Sequence, residues 1–244
     1  MSEPSSLPLP LTRRHHQRLR EMHRSAGWPC HDAIEVELIA AGCLLRCFDD
    51  AGREHLRVSD EGIALLARIY ARNRAALSAH EALVQRVALE QARAGRLAWC
   101  GLALRAPLPR ADEPLANDWV MACPDVYSIR RSSRADWLEP VVHEIKVSRA
   151  DLLSDLRKAD KRAAYLGMAG AVWYVLGRDA KGRPVGDEGD VPEDCGVLVD
   201  SGAMGWEIRR EAPRRAVPQL PLGVWLALAQ ATPVRLDEPD QQGL

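Results

Sequence analysis

Two apolar runs constrain this chain more than any other segment of it. "EPVVHEIKV" (139–147) and "AVWYVLG" (171–177) have the length and Val/Ile content of buried strands, and "RADLLSDLRKADKRAAYLGMAG" between them has helical spacing. Strand, helix, strand in that order is a crossover that lays the two strands parallel in one sheet. The flanking segments extend the pattern. "SAHEALVQRVALEQARAG" reads as an amphipathic helix opened by a Ser78-x-x-Glu81 capping box and closed at Gly95. "RLAWCGLAL" reads as a strand, followed by a Pro-containing loop to about Trp119. "CPDVYSI" pairs with "EPVVHEIKV" as a hairpin across the basic loop "RRSSRADW", and "GVLVDSGAMGWEIRRE" supplies one or two short strands after a long acidic loop. "LGVWLALAQA" is a terminal helix. Residues 79 to 210 therefore predict an α/β core with a mixed central sheet flanked by helices.

The N-terminal region follows a different pattern. A Pro- and Ser-rich tail covers residues 1–11, and "RRHHQRLREMHR" is a short basic helix. A helix runs from about Ala33 to near Gly42, and the strands "CLLRCF" and "HLRVS" flank the turn "DDAG". A further helix starts after Ser59 or Asp60. The predicted organisation is a tail (1–11), a small helix–hairpin–helix module (12–77), an α/β core (78–232) and a second tail (233–244).

Composition excludes several classes. A formal net charge of -1 gives no overall attraction to nucleic acid or membrane, so such a partner must be met by a local basic patch. No run of 18 apolar residues exists and no signal-like order opens the chain, which predicts a cytoplasmic protein with no membrane partner. The six cysteines contain no CxxC and read as small buried hydrophobes. Lysine occurs only at 146, 158, 161 and 181 against 29 arginines, so a lysine here marks a place for a compact ammonium.

Strand alternation puts Val142, Glu144 and Lys146 on one face of "VVHEIKV", and Val141, His143, Ile145 and Val147 on the other. Asp125, opening the neighbouring strand, can be brought beside Glu144 by the hairpin. Two facing carboxylates repel unless a counter-charge intervenes, and a hard divalent cation removes the conflict. Such an ion orients and acidifies a water, with a lysine beside it for the phosphate or hydroxide. His143 points away from Glu144 and reads as a hydrogen-bonded core histidine. The alternative for the three charges is a surface strand pair held by a salt bridge.

Pro124-Asp125, eighteen residues, then Glu144-Ile145-Lys146 resembles the motif of the PD-(D/E)XK nuclease superfamily, the restriction-endonuclease-like fold. Within it the chain looks closest to the MmcB-like DNA-repair group. The resemblance implies Mg²⁺- or Mn²⁺-dependent cleavage of DNA, with Asp125 and Glu144 as metal ligands, the Ile145 carbonyl as a third, and Lys146 at the phosphate or water. Glu81 matches an acid carried on the preceding helix, with its capping-box role as the alternative. "LIAAGCLLRCFDDAGREHLRVSDEGIALL" is similar to a winged helix, a module that often binds DNA. Glu35 and Glu37 would repel phosphate on the helix that approaches a groove, so partner docking stands beside DNA binding there.

Phosphate contacts are expected from two places. Arg130, Arg131 and Arg134 lie in or beside the hairpin loop; Arg157, Lys158, Lys161, Arg162 and Tyr165 form overlapping i, i+3 and i+4 neighbours on the following helix. Asp151, Asp155 and Asp160 nearly balance that helix, so a solvated face is the competing reading. The expectation is a metal-dependent deoxyribonuclease in repair or defence, with a homodimer as a further partner. The alternative is a non-catalytic DNA-binding or regulatory protein with a degenerate nuclease core, and a third reading is an enzyme acting on RNA or nucleotides.

Overall fold

The computed structural model of the protein describes residues 10–109, 117–179, 181–217 and 219–236. Residues group into two compact units, Met1–Ala75 and Ala76–Leu244.

The first unit is built from α1 (Arg13–Arg24), α2 (Ala33–Ala40), the antiparallel pair β1 (Leu44–Phe48) and β2 (Glu54–Val58), and the start of α3 (Asp60–Arg93). Leu19, Met22, Leu38, Cys43, Leu44, Leu56 and Leu66 form its core. Asp49 holds the β1–β2 turn by accepting from the N–H groups of Ala51 and Arg53. Ser59 caps α3: its Oγ accepts from Gly62 N at 3.0 Å and donates to Gly42 O. At Gly62 a Cβ would lie 2.3 Å from the Cys43 carbonyl, so only glycine permits the approach of α3 to β1. Glu35, expected to face a groove, is buried instead. It accepts from the N–H groups of Cys30 and His31 and from Arg18, while Glu37 pairs with His15. Glu35 is therefore compensated inside the unit, whereas Glu37 stays partly exposed beside His15.

The helix expected to open at Ser78 does not start there. No Gly or Pro interrupts the chain between Gly62 and Arg93, and "ARNRAAL" is built mostly of good helix formers, so α3 runs through Ser78 and no capping box forms. Gly95, at φ +79°, follows its end.

In the second unit, β3 (Arg96–Cys100), β6 (Val126–Arg130), β7 (Val141–Lys146), β8 (Ala171–Leu176), β9 (Gly196–Asp200) and β10 (Trp206–Arg210) form one sheet in the order β10-β9-β8-β7-β6-β3. β7–β8 and β8–β9 are parallel, as the crossover requires, and the other pairs are antiparallel. "RLAWCGLAL" is two elements rather than one strand. Gly101 turns at φ +63°, and β4 (Leu104–Pro109) pairs with β5 (Asn117–Ala122) as a separate hairpin where a loop was expected. The crossover is likewise two helices, α4 (Arg149–Leu156) and α5 (Ala159–Met168).

One face of the sheet packs on Leu83, Val84, Val87 and Ala88 of α3 against Val126, Ile145 and Val175. The other carries the larger core, where Val142, Tyr174 and Leu176 meet Leu152, Ala164, Tyr165 and Met168, with Val224 and Leu228 of α6 (Leu222–Gln230) in the same cluster. The start of the expected C-terminal tail is anchored, since Val234 N donates to the carbonyl of Ala98 on edge strand β3 at 2.7 Å. Residues 237–244 and 1–9 of the expected tails lie outside the described residues. Among the described residues no helix is long and apolar enough to cross a membrane. All six cysteines are free; Cys43 and Cys195 are buried as expected, whereas Cys30 and Cys123 are exposed.

Candidate functional site

β6 and β7 are in register from Val126↔His143 to Ser128↔Val141 and diverge just before Glu144. Asp125 stands at the split. Its Oδ2 accepts from the Ile145 N–H at 2.7 Å, so a side chain completes the ladder where the backbone cannot. The hairpin therefore sets Asp125 beside the 144–146 segment. Its Oδ1 lies 3.3 Å from Nε2 of His80, on α3.

Glu144 and Lys146 share the face covered by α4 and α5, and both are almost fully buried. Oε1 of Glu144 accepts from Lys146 Nζ at 2.7 Å and from Lys161 Nζ at 2.6 Å, and Oε2 accepts from the Tyr165 hydroxyl at 2.8 Å. Lys161 also donates to Oδ1 of Asp155 at 2.7 Å, and Tyr174 donates to Oδ2 of the same carboxylate at 3.1 Å. Asp151 stands 3.5 Å from Lys146 Nζ, more exposed than the rest. Two buried carboxylates, Glu144 and Asp155, thus face two ammonium groups, so the buried charges balance one another, with Asp125 and Asp151 at the edge of the cluster.

The break between α4 and α5 makes this closure possible. Asp155 and Lys161 are six positions apart, which on a straight helix turns them about 120° away from each other. The interruption at Arg157 and Lys158 brings them together.

Burial pushes Glu144 up, helped by the charge of Asp125 and opposed by the two lysines. Burial also disfavours ionised Asp155, but the hydrogen bond from Lys161 and the charges of both lysines hold it below the usual carboxylate value. For Lys146 and Lys161 burial is overcome by Glu144 and Asp155, and both ammonium groups are stabilised. Tyr165 is raised by burial and then by Glu144, so its hydroxyl stays a donor. His80 is raised chiefly by its hydrogen bond to Asp125.

The other expected residues are dispersed. Ile145 offers its N–H to Asp125, whereas the resemblance assigned a role to its carbonyl. Glu81 is exposed on α3 and bonds to no described residue; His80 beside it is the α3 side chain that reaches the site. Arg130, Arg131 and Arg134 do not flank Asp125. β6 begins just after Asp125 and ends at Arg130, so five residues, roughly 16 Å, separate the loop from the site. Arg130 pairs with Glu139, Arg134 pairs with Asp136 and stacks on Trp137, and Arg131 is exposed. Of the expected basic stripe, Lys161 and Tyr165 turn inward onto Glu144. Arg157 and Lys158 remain exposed, and Arg162 donates to the Leu156 carbonyl. Tyr165 is buried and offers no face to a nucleic acid.

His143 lies on the opposite face from Glu144, as alternation requires, but it is not hydrogen-bonded through Nδ1, which is buried without a partner. Burial, with Arg96 nearby, pushes it down to about 3. It is a neutral core residue at physiological pH.

His80, Asp155 and Tyr174 belong to the nest and were not singled out from the sequence. Tyr174 had a partial signal, because the crossover makes its strand the parallel neighbour of β7; the register that sets it opposite Glu144 belongs to the fold. Asp155 had none, since its partner depends on the helix break.

Two carboxylates are suitable chemistry for Mg²⁺ or Mn²⁺. As folded they do not form a ligand set. Both oxygens of Glu144 are occupied by three donors, and among the described residues no three His, Cys, Asp or Glu side chains are grouped to hold a metal ion. The two ammonium groups provide the counter-charge that the sequence argument assigned to a cation.

Comparison with protein-family models, with curated proteins and with solved structures gives no match for the chain.

Proposed function

We propose that the chain is a deoxyribonuclease that hydrolyses phosphodiester bonds at the Asp125–Glu144–Lys146 end of β6 and β7. One observation carries this reading. Asp125 bonds to the backbone between Glu144 and Lys146 across twenty positions of sequence, which unites the resemblance motif at one strand end. Buried charges on a sheet covered on both faces need a pairing or functional reason, and this pairing requires four side chains from three elements. Mg²⁺ or Mn²⁺ belongs to the reading as its cofactor, and no catalytic step is assigned to it because the donor set is closed. Lys146, held charged by its carboxylates, is the group that would meet a phosphate. DNA is the proposed substrate and a homodimer the form that would cut both strands.

A second reading is favoured by the same closure. Lys161 and Lys146 neutralise Glu144 and Asp155 internally, so the nest is self-sufficient as a structural element. A DNA-binding or regulatory protein with a degenerate nuclease core would look like this. Labelled single-stranded, duplex and branched DNA, incubated with the protein in Mg²⁺ or in EDTA, separates the two. The nuclease reading expects cleavage in Mg²⁺ that is lost in EDTA, in Asp125→Ala and in Lys146→Ala. Cleavage that survives EDTA or both substitutions would sink the site, and binding of every substrate without cleavage would support the second reading.

A further inference from the structure

At the opposite end of the same strands is a cleft of about 240 Å³, lined by Arg96, Arg214 and Arg215 and floored by Val141, Ala171 and Trp173. We propose that this cleft binds a mononucleotide-sized anion, its phosphate held by the three arginines and its flat ring laid against Trp173. The inference is independent of the nuclease reading, because none of these residues belongs to the Asp125–Glu144 nest.

The charge arrangement is the first support. The Arg96 guanidinium is partly buried, yet among the described residues its hydrogen bonds all go to neutral acceptors: Nε to Ser128 Oγ at 3.0 Å, and Nη2 to the carbonyls of Ser128 and Glu139. Among the described residues Arg215 likewise donates only to carbonyls, those of Asp194 and Pro213. Arg214 makes no hydrogen bond or ion pair with a described residue. Two acids, Glu139 and Glu211, line the cleft against three guanidinium groups, and Glu139 also pairs with Arg130. Burial and the neighbouring charges of Arg130 and Arg214 disfavour the Arg96 cation, with Glu139 opposing them. A desolvated guanidinium that hydrogen-bonds to no carboxylate is costly, and it has the forked donor geometry that phosphate oxygens match.

Backbone hydrogen bonds join the segments that frame the cleft. Gly170 N donates to Pro140 O and Arg215 N donates to Gly170 O, each at 2.8 Å, tying three segments together. Glu139 is held at φ +42°, a conformation unusual for a non-glycine residue, and its carbonyl accepts from Arg96. Backbone strain of this kind is often found where a site is pre-organised. Gly196 makes room for Trp173: a Cβ there would stand 2.5 Å from the indole Cε3. The indole is only partly buried, and it lines the cleft as a surface for stacking.

Calorimetric titration of the full-length protein with adenosine monophosphate, adenosine and inorganic phosphate tests the assignment, with Arg214→Ala as the variant. Arg214 is exposed and unbonded, so its loss leaves the fold intact. The expected result is binding of adenosine monophosphate that weakens with added salt, weaker binding of either half alone, and at least about a tenfold loss in Arg214→Ala. No binding at millimolar adenosine monophosphate would overturn the proposal. So would adenosine or phosphate binding as tightly as the whole nucleotide, or affinity unchanged in Arg214→Ala.

Discussion

Replacing Lys161 by methionine isolates the electrostatic contribution of the buried nest, because methionine keeps much of the apolar stem and removes only the ammonium. Two charge-assisted hydrogen bonds are lost, 2.6 Å to Glu144 and 2.7 Å to Asp155. Hydrogen bonds to charged groups contribute about 1.5–3 kcal/mol each, and stripping one partner from a buried pair costs about 3–5 kcal/mol. The lower end of that range applies, since Glu144 keeps Lys146 and Tyr165, and Asp155 keeps Tyr174. The expected loss is about 3 kcal/mol, or a midpoint shift of roughly 1.5 M urea for a slope near 2 kcal/mol/M. Urea titrations of the wild type, Lys161→Met, Asp155→Asn and the double variant complete the cycle, with an expected coupling of at least about 1 kcal/mol. The sign of the pH response adds a second readout. Asp155 is depressed in the folded state, so its contribution is present above the ordinary carboxylate value and is lost as pH falls through the folded one. Glu144 is raised and works in the opposite sense, losing stability as pH rises from the ordinary value to the folded one. The raised lysines contribute below about pH 10.4 and lose that contribution as pH rises beyond it. Lys161→Met removes the main donor that depresses Asp155, so the acid-side loss should become shallower. A single-variant loss under about 1 kcal/mol together with zero coupling would refute the picture of a mutually compensated nest.

Tyr165→Phe removes the one hydroxyl proton that Glu144 and the Cys123 carbonyl share; a loss of about 1–3 kcal/mol in urea unfolding is expected, and a neutral result would show that Tyr165 acts through packing alone. His143→Leu removes an unpartnered buried nitrogen, so stability at pH 7 should stay within about 1 kcal/mol of the wild type. The folded-state value of about 3 means the unfolded chain takes up a proton first on acidification, so stability is lost as pH falls from about 6.5. The leucine variant should therefore gain about 3 kcal/mol relative to the wild type between pH 7 and pH 4, and parallel pH profiles would contradict a buried neutral His143.

Much of the α/β core could be read along the chain because its signals are local. The Val/Ile runs of β7 and β8, with helical spacing between them, required a parallel pair, and alternation separated Glu144 and Lys146 from His143 without any coordinates. The hairpin was enough to predict Asp125 beside them. Helix ends were less legible: Ser78 and Glu81 spell a capping box, yet helix propensity across Ala71–Leu77 carries α3 straight through it. Distance along a strand also separates the two expected regions, since the same β6 that delivers Asp125 to the site carries Arg130 and its loop to the other end.

The residue types at the candidate site were thus determined by the sequence, while their partners were decided by the tertiary structure. A lysine in an arginine-rich chain marked positions 146 and 161, but whether those ammonium groups meet a phosphate or a carboxylate depends on the break between α4 and α5. That break turns Lys161 and Asp155 toward Glu144, and Tyr165 and Tyr174 arrive from a helix and a strand to satisfy the remaining oxygens. Alternation along a strand is a property of the backbone, legible from one segment at a time. Charge compensation in a buried cluster is a property of several segments at once, and only the folded chain assembles it.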